Sequence, residues 1–303
     1  MFRLFQFAVS IGLLAGLFWW MDAAPILARV TQAHAGWLAA GLAGLILSTL
    51  SMAHRWQLTA RRLGMAMPYL LALREYYLSQ FLNSVLPGGV LGDVGRAIRA
   101  RGRGNLRRAG QSVLAERLIG QVAIFAITGL GLSVAWLWPG GPDWPWPVAL
   151  ALPCVLGAGA MAMVCARHFG IVGRFVRLVG SLLREPLILL HAVLAAGLLI
   201  FSLYACARAT GTIIPSEGWF TVLPLILCAM LVPLSVAGWG WREAAAVVLV
   251  PMVGASPEAG LAMGLCYGAL MFLASLPAVF FLFSRTGQDG AHGDTAQASP
   301  PGE

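Results

Sequence analysis

The sequence predicts an all-α polytopic membrane protein with about six transmembrane helices and two re-entrant helical hairpins arranged as an inverted repeat. Three observations carry this reading. The chain is 59% hydrophobic and only 11% charged, about half the charge a water-soluble domain uses to cover its surface, and its mean hydropathy is +0.80. Apolar runs of spanning length recur along it. Two further apolar stretches are broken by proline and glycine at matching offsets.

The candidate spans fall at about 4–21, 36–53, 118–138, 148–166, 187–207 and 260–283, each near the ~20 residues a helix needs to cross a hydrocarbon core. The first is followed by Asp22 and Pro25, with no small-residue cleavage site and another span close behind. This predicts an uncleaved helix, with a signal peptide as the alternative. The loop PGGPDWPWP at 139–147 divides the chain roughly in half, and Trp136, Trp138, Trp144 and Trp146 around it suit an aromatic belt at the outer interface. The polar, small-residue-rich stretch 286–303 is expected to be a disordered cytoplasmic tail. One membrane domain is therefore expected over 1–285, with inverted halves at about 1–138 and 148–285.

All twenty basic residues are arginine, and they sort by side. Arg3, Arg55, Arg61, Arg62, the set Arg96 to Arg108, the group Arg167 to Arg184, and Arg285 fall in alternate connections, while the other connections hold only Arg29 and Arg208. The positive-inside rule then places both termini in the cytoplasm.

Charge placement also picks out the hairpins. Stretch 69–95 has arginines at both ends, so it must dip into the membrane and return, with Pro87-Gly88-Gly89 as the break. Stretch 219–254 lies between Arg208 outside and a last span ending at the inner Arg285, and it breaks near Pro233 and Gly238-Trp239-Gly240. Irregular backbone at that depth requires surrounding protein or a wet cavity. Side by side, PGGVLGDVGR (87–96) and PLSVAGWGWR (233–242) both read Pro-x-x-Val-x-Gly-x-x-x-Arg. With three crossings per half, the second half would enter upside down, the plan of transporters whose site lies at a repeat interface built from broken helices.

Arginine within a bilayer costs about 2.5–3.5 kcal/mol on insertion scales, so one retained there has a partner or a purpose. For Arg242 and Glu243, one reading is a pair that neutralises itself and locks the hairpin. In the other, Arg242 meets an anionic group while Glu243 orients it or takes a proton. Neighbours on a helix point about 100° apart, which disfavours a direct bond between them. Asp93 and Arg96 share a helix face as a candidate ion pair; alternatively Asp93 caps the helix and Arg96 only anchors topology. The glycines before Arg96 and the helix start would offer N–H groups to a phosphate. Glu116 and Arg117 open the third span, either as an interfacial anchor or as a contact to the first hairpin. The six arginines from Arg96 to Arg108 suit anionic headgroups, at about 1 kcal/mol each near the surface, better than nucleic acid. Cys154, Cys165, Cys206, Cys228 and Cys266 lie in apolar runs without ligand spacing, and His34, His54, His168, His191 and His292 are scattered. No catalytic motif, metal site or cofactor is expected.

FLNSVLPGGVLGDVGRAIRA (81–100) with SVLAERLIG (112–120), and VPLSVAGWGWREAAAVVL (232–249), resemble the transmembrane, flippase-like domain of the lysylphosphatidylglycerol synthase family. The resemblance covers nearly all of the chain except the tail. It marks Asn83, Pro87, Gly88, Gly89, Gly92, Asp93, Arg96 and Arg117, then Pro233, Ser235, Gly238, Gly240, Arg242 and Glu243. Leu91 stands where the family commonly has glycine, and Glu116 where aspartate is usual. The resemblance implies a bacterial plasma (inner) membrane protein that moves an anionic phospholipid headgroup between leaflets, without the aminoacyl-transfer domain of the full-length synthases. On this reading Arg96, Arg242, Glu243, Asp93 and Arg117 meet the headgroup, and the other marked residues shape the hairpins. A small-anion transporter and a non-transporting partner of a lipid-synthesis enzyme are the alternatives.

Overall fold

The computed structural model describes residues 2–86, 90–103, 105–137, 168–230 and 238–283, and all of its regular structure is helical. The expected span 148–166, the tryptophan-rich loop, the tail at 286–303 and both hairpin tips lie outside the described residues. The tips include Pro87, Gly88, Gly89, Pro233 and Ser235.

Four helical stretches are long and apolar enough to cross a membrane: Ala35–Arg62 (α3), Leu106–Leu137 (α6), Pro186–Ala209 (α8) and Pro257–Phe281. They coincide with expected spans and generally extend beyond them. The last comprises Pro257–Ser275 (α12) and Pro277–Phe283 (α13). The first expected span is more complicated. Phe2–Trp20 (α1) is followed by Ala23–Thr31 (α2); residues 8–20 and 23–31 are long and apolar enough to cross a membrane only together, and they meet at a 106° bend. Asp22 makes the bend, because its carboxylate accepts from the Ala24 N–H at 3.1 Å and starts a new helix. The described residues thus hold four spans, or five with this bent pair.

The interrupted stretches fold as short helix pairs. Tyr69–Val85 (α4) is followed by Leu91–Ala100 (α5). Val222–Ala229 (α10), preceded by the single turn Ser216–Trp219 (α9), is followed by Trp241–Leu249 (α11). At about 1.5 Å per residue neither α5 nor α11 can cross a ~30 Å core. The remaining helix, Gly170–Leu182 (α7), carries Arg174 and Arg177.

Helices α3 and α8 form the most extensive packed pair. Small residues allow it: a Cβ on Gly41 would lie 3.4 Å from both the Ala205 Cβ and the Ser202 carbonyl, and one on Gly44 would lie 3.3 Å from the Leu198 carbonyl. In lipid, where apolar surface gains little by leaving the solvent, such close backbone approach is what holds helices together. Several other contacts occur in exchanged sets: α3 packs on α12 and α8 on α6; α4 on α12 and α10 on α6; α5 on α6 and α11 on α12. Cys206, Cys228 and Cys266 are free thiols inside helices.

Candidate functional site

The first motif is assembled at a point where α5 crosses α4 with no room for a side chain. A Cβ on Gly92 would strike the Ser79 carbonyl and come within 2.8 Å of Asn83 Oδ1. The Gly92 N–H donates to that same oxygen at 2.8 Å. This contact seats Asp93, whose carboxylate accepts from Ser79 Oγ at 2.9 Å and from Asn83 Nδ2 at 3.4 Å. Asp93 pairs with Arg96 at 3.0 Å, one turn along the helix, and with Arg117 of α6.

Arg96 then reaches Glu116, Nη2 to Oε2 at 3.2 Å, while Arg55 of α3 donates to Oε1 of the same carboxylate at 2.6 Å. Tyr76 donates its hydroxyl to that oxygen at 3.3 Å. The Arg96 guanidinium lies 4.5 Å from the ring centres of both Trp56 and Tyr76, so quadrupoles of two rings and two carboxylates hold one buried cation. Trp56 is fixed in turn by its indole N–H, which donates to Ser112 at 3.1 Å. Arg99 pairs with Glu75 beside this cluster.

The second motif repeats the chemistry with other parts. Gly238 and Gly240 have φ of 79° and 90°, left-handed values that glycine adopts without the Cβ penalty. The Gly240 N–H donates to Glu243 Oε2 at 2.8 Å, so Glu243 caps α11 from inside its first turn. The other Glu243 oxygen pairs with Arg242, against the expectation that neighbours point too far apart. The bond forms because the guanidinium folds back into space that Gly268 leaves open: a Cβ there would overlap Arg242 and sit 2.7 Å from the Trp239 ring. Arg242 lies 5.1 Å from the Trp239 ring centre and 5.5 Å from that of Tyr267.

Arg96, Arg242, Glu116 and Glu243 are all at most 1% exposed. Glu116 is therefore no interfacial anchor; it contacts Arg96 of α5 and Tyr76 of α4. Nor is Arg96 a surface anchor, and Asp93 sits within the first turn of α5, where Val90 is the N-cap. Arg117 is the accessible edge of the cluster, with its side chain 37% exposed. Charge placement groups Arg55 with the arginine-rich connection after α3. It stands seven residues before the end of α3, about two turns inside the helix, and that spacing was the available signal. Trp56, Tyr76 and Tyr267 carried no signal, since an aromatic in an apolar run reads as core. Arg96 and Arg242 occupy two separate clusters. Among the described residues, several buried arginine donors have no partner: Nε and Nη1 of Arg96, Nε of Arg242, Nε of Arg74 and Nη2 of Arg99.

These features define a helical integral membrane protein that buries ion-paired, ring-stacked arginines on two short helices, α5 and α11. The chain belongs to the family described as the lysylphosphatidylglycerol synthase TM region, whose model matches residues 4–278, and so to the membrane proteins of lipid biology. Comparison with curated proteins and with solved structures yields no match.

Proposed function

We propose that the protein is a lipid translocase that carries the headgroup of an anionic phospholipid between leaflets, using Arg96 and Arg242 as successive anion contacts. The observation that supports this reading is the pair of buried, ring-stacked arginines whose Nε and Nη1 (Arg96) and Nε (Arg242) have no partner among the described residues. An unmade bond of a buried charged donor is costly in a membrane, and a phosphate oxygen would satisfy it with a short, charge-assisted bond. In the state described, Asp93 and Glu116 take Nη2 of Arg96, Glu243 takes Nη2 of Arg242, and Nη1 of Arg242 points at the Met271 sulfur at 3.9 Å. A phosphate arriving past the exposed edge at Arg117 would join or displace the carboxylates, so that the headgroup exchanges water for guanidinium without crossing hydrocarbon bare.

The exchanged helix contacts support the inverted-repeat plan, because α3, α4, α5 and α6 pack as α8, α10, α11 and α12 do, each set reaching across to the other. With re-entrant hairpins in each half, one broken element would face each leaflet. Acyl chains favour a lipid over a small soluble anion: a cavity of about 980 Å³ between α6, α8 and the α9–α10 segment is lined mostly by residues such as Leu130, Val193, Ile200 and Phe220. Reconstitution into liposomes with a fluorescent anionic phospholipid and a leaflet-specific quencher tests the reading. Translocation above empty liposomes, reduced about tenfold or more in Arg242→Gln, is expected. Rates equal to empty liposomes for every anionic phospholipid would sink it.

A further inference from the structure

Helix α5 presents two columns of side chains. Asp93, Arg96 and Arg99 follow at intervals of three and share one face over about 9 Å of helix. Each is ion-paired: Asp93 with Arg117, Arg96 with Glu116, and Arg99 with Glu75 of α4. Val90, Val94 and Ile98, at intervals of four from the N-cap onwards, are 42%, 49% and 45% exposed. Exposed aliphatic side chains at this level meet lipid tails as apolar as themselves. The helix therefore sets a line of charges beside an edge suited to acyl chains.

The charged column is sealed in the middle and open at its ends. The Arg96 side chain is 2% exposed, whereas that of Arg117 is 37% and that of Arg99 22% exposed. The two ends lie at different depths. Arg99 stands in the last turn of α5, two residues before the exposed Arg101. Arg117 stands eleven residues into α6, about 16 Å along it. Arg99 is thus the member of the column nearest the arginine-rich end. Its guanidinium folds back over Gly95, where a Cβ would lie 2.9 Å from Nη1, and Nε donates to Glu75. Nη2 is buried and has no hydrogen-bond partner. A charged donor left over in this way is costly, and an anion that accepts from it is favoured.

We infer that Arg99 forms a docking subsite for the phosphate of a phospholipid from the arginine-rich leaflet, with Val94 and Ile98 receiving the start of its acyl chains. Glu75 holds the guanidinium until the phosphate arrives. The subsite precedes the deeper contacts at Arg117 and Arg96, and in that order it rests on the translocase reading above. A phosphate takes Nη2 and competes with the Glu75 carboxylate for the rest of the guanidinium fork. Glu75 therefore opposes binding, as a rival acceptor and as a like charge. Removing Arg99 weakens binding, and neutralising Glu75 strengthens it. A pair that only braced α4 against α5 would do neither.

Calorimetric titration of the full chain in detergent with short-chain phosphatidylglycerol tests this. Arg99→Gln should weaken binding by about fivefold, and Glu75→Gln should tighten it by about threefold. Gly95→Ala keeps every charge and favours the helix, yet its Cβ pushes the guanidinium off its seat. It should weaken binding by about threefold, and it decides the matter if Arg99→Gln fails to fold. Inorganic phosphate at the same concentration should not displace the lipid, because it lays nothing on Val94 and Ile98. Unchanged binding in Arg99→Gln and Gly95→Ala, unchanged or weaker binding in Glu75→Gln, or displacement by inorganic phosphate overturns the subsite and leaves the translocase reading in place. Absence of binding by the parent chain also overturns the subsite, and translocation in liposomes then decides the wider reading separately. The expected binding pattern in a chain that does not translocate the lipid keeps the subsite and removes the transport reading alone.

Discussion

Glu116, like Asp93, pairs with two arginines, but both of its partners are buried. Its two oxygens serve Arg55 and Arg96, and one also accepts from Tyr76. Both arginines are buried, so removing the carboxylate's charge leaves two cations without their main counter-ion. Breaking a buried pair from one side costs about 3–5 kcal/mol, because the remaining charge stays desolvated. Glu116→Gln should therefore lower stability by about 3 kcal/mol, visible as a fall in the unfolding midpoint followed by intrinsic tryptophan fluorescence, since Trp56 lies in the cluster. Glu185→Gln provides the contrast. Its partner Arg62 is 60% exposed, so the loss should stay under about 1 kcal/mol. Equal effects from the two substitutions would contradict the difference in burial on which the site rests. Sequence reasoning placed Asp93, Arg96 and Arg117 together because they fall within one short motif and the following helix. It did not reach Arg55, because an arginine near other arginines reads as a loop charge until its helix is seen to continue past it.

At the scale of elements, glycines decide which helices can touch. Gly44 faces α8, where an added side chain would meet the Phe201 ring at 3.2 Å and the Leu198 carbonyl at 3.3 Å. Gly197, on the opposite helix, has nothing within 4 Å. Gly44→Leu should separate α3 from α8 and abolish a monodisperse species in size-exclusion chromatography, whereas Gly197→Ala should leave the elution profile unchanged. A normal profile for Gly44→Leu would refute the close-packing account. Gly92→Ala tests the α4–α5 crossing in the same way. Its Cβ would force α5 off α4, break the Gly92–Asn83 bond and displace Asp93, at about 1–3 kcal/mol. The expected result is a lower unfolding midpoint together with loss of lipid translocation. That α4 ends before Pro87 and that α11 begins after Gly240 was legible in the sequence, because proline and glycine punctuate helices whatever surrounds them. Which glycines serve packing and which serve turns was not legible, because that depends on what lies opposite.

For the whole molecule, the arrangement turns on topology. The Arg62–Glu185 pair puts the end of α3 and the start of α8 on one side. Arg29, whose guanidinium donates to the Thr210 carbonyl at 3.3 Å, and Arg208 lie together at the other end of the bundle. Single cysteines at Arg61 and Glu217, introduced with the native cysteines replaced, should label from opposite faces in intact cells, Arg61→Cys from the cytoplasm only. Labelling of both from one face would remove the orientation on which the hairpin argument depends. By itself, the sequence determined that the chain is a helical membrane protein, where its main described spans lie, where two stretches break, and to which family it belongs. Hydropathy, helix punctuation and motif spacing are local properties, readable without neighbours. Only the tertiary structure decided that Arg242 bonds Glu243, that Glu116 is buried between two arginines, and that Arg99 pairs with Glu75. Each depends on long side chains meeting across helix contacts, where residues distant in the chain determine the space and the counter-charges available.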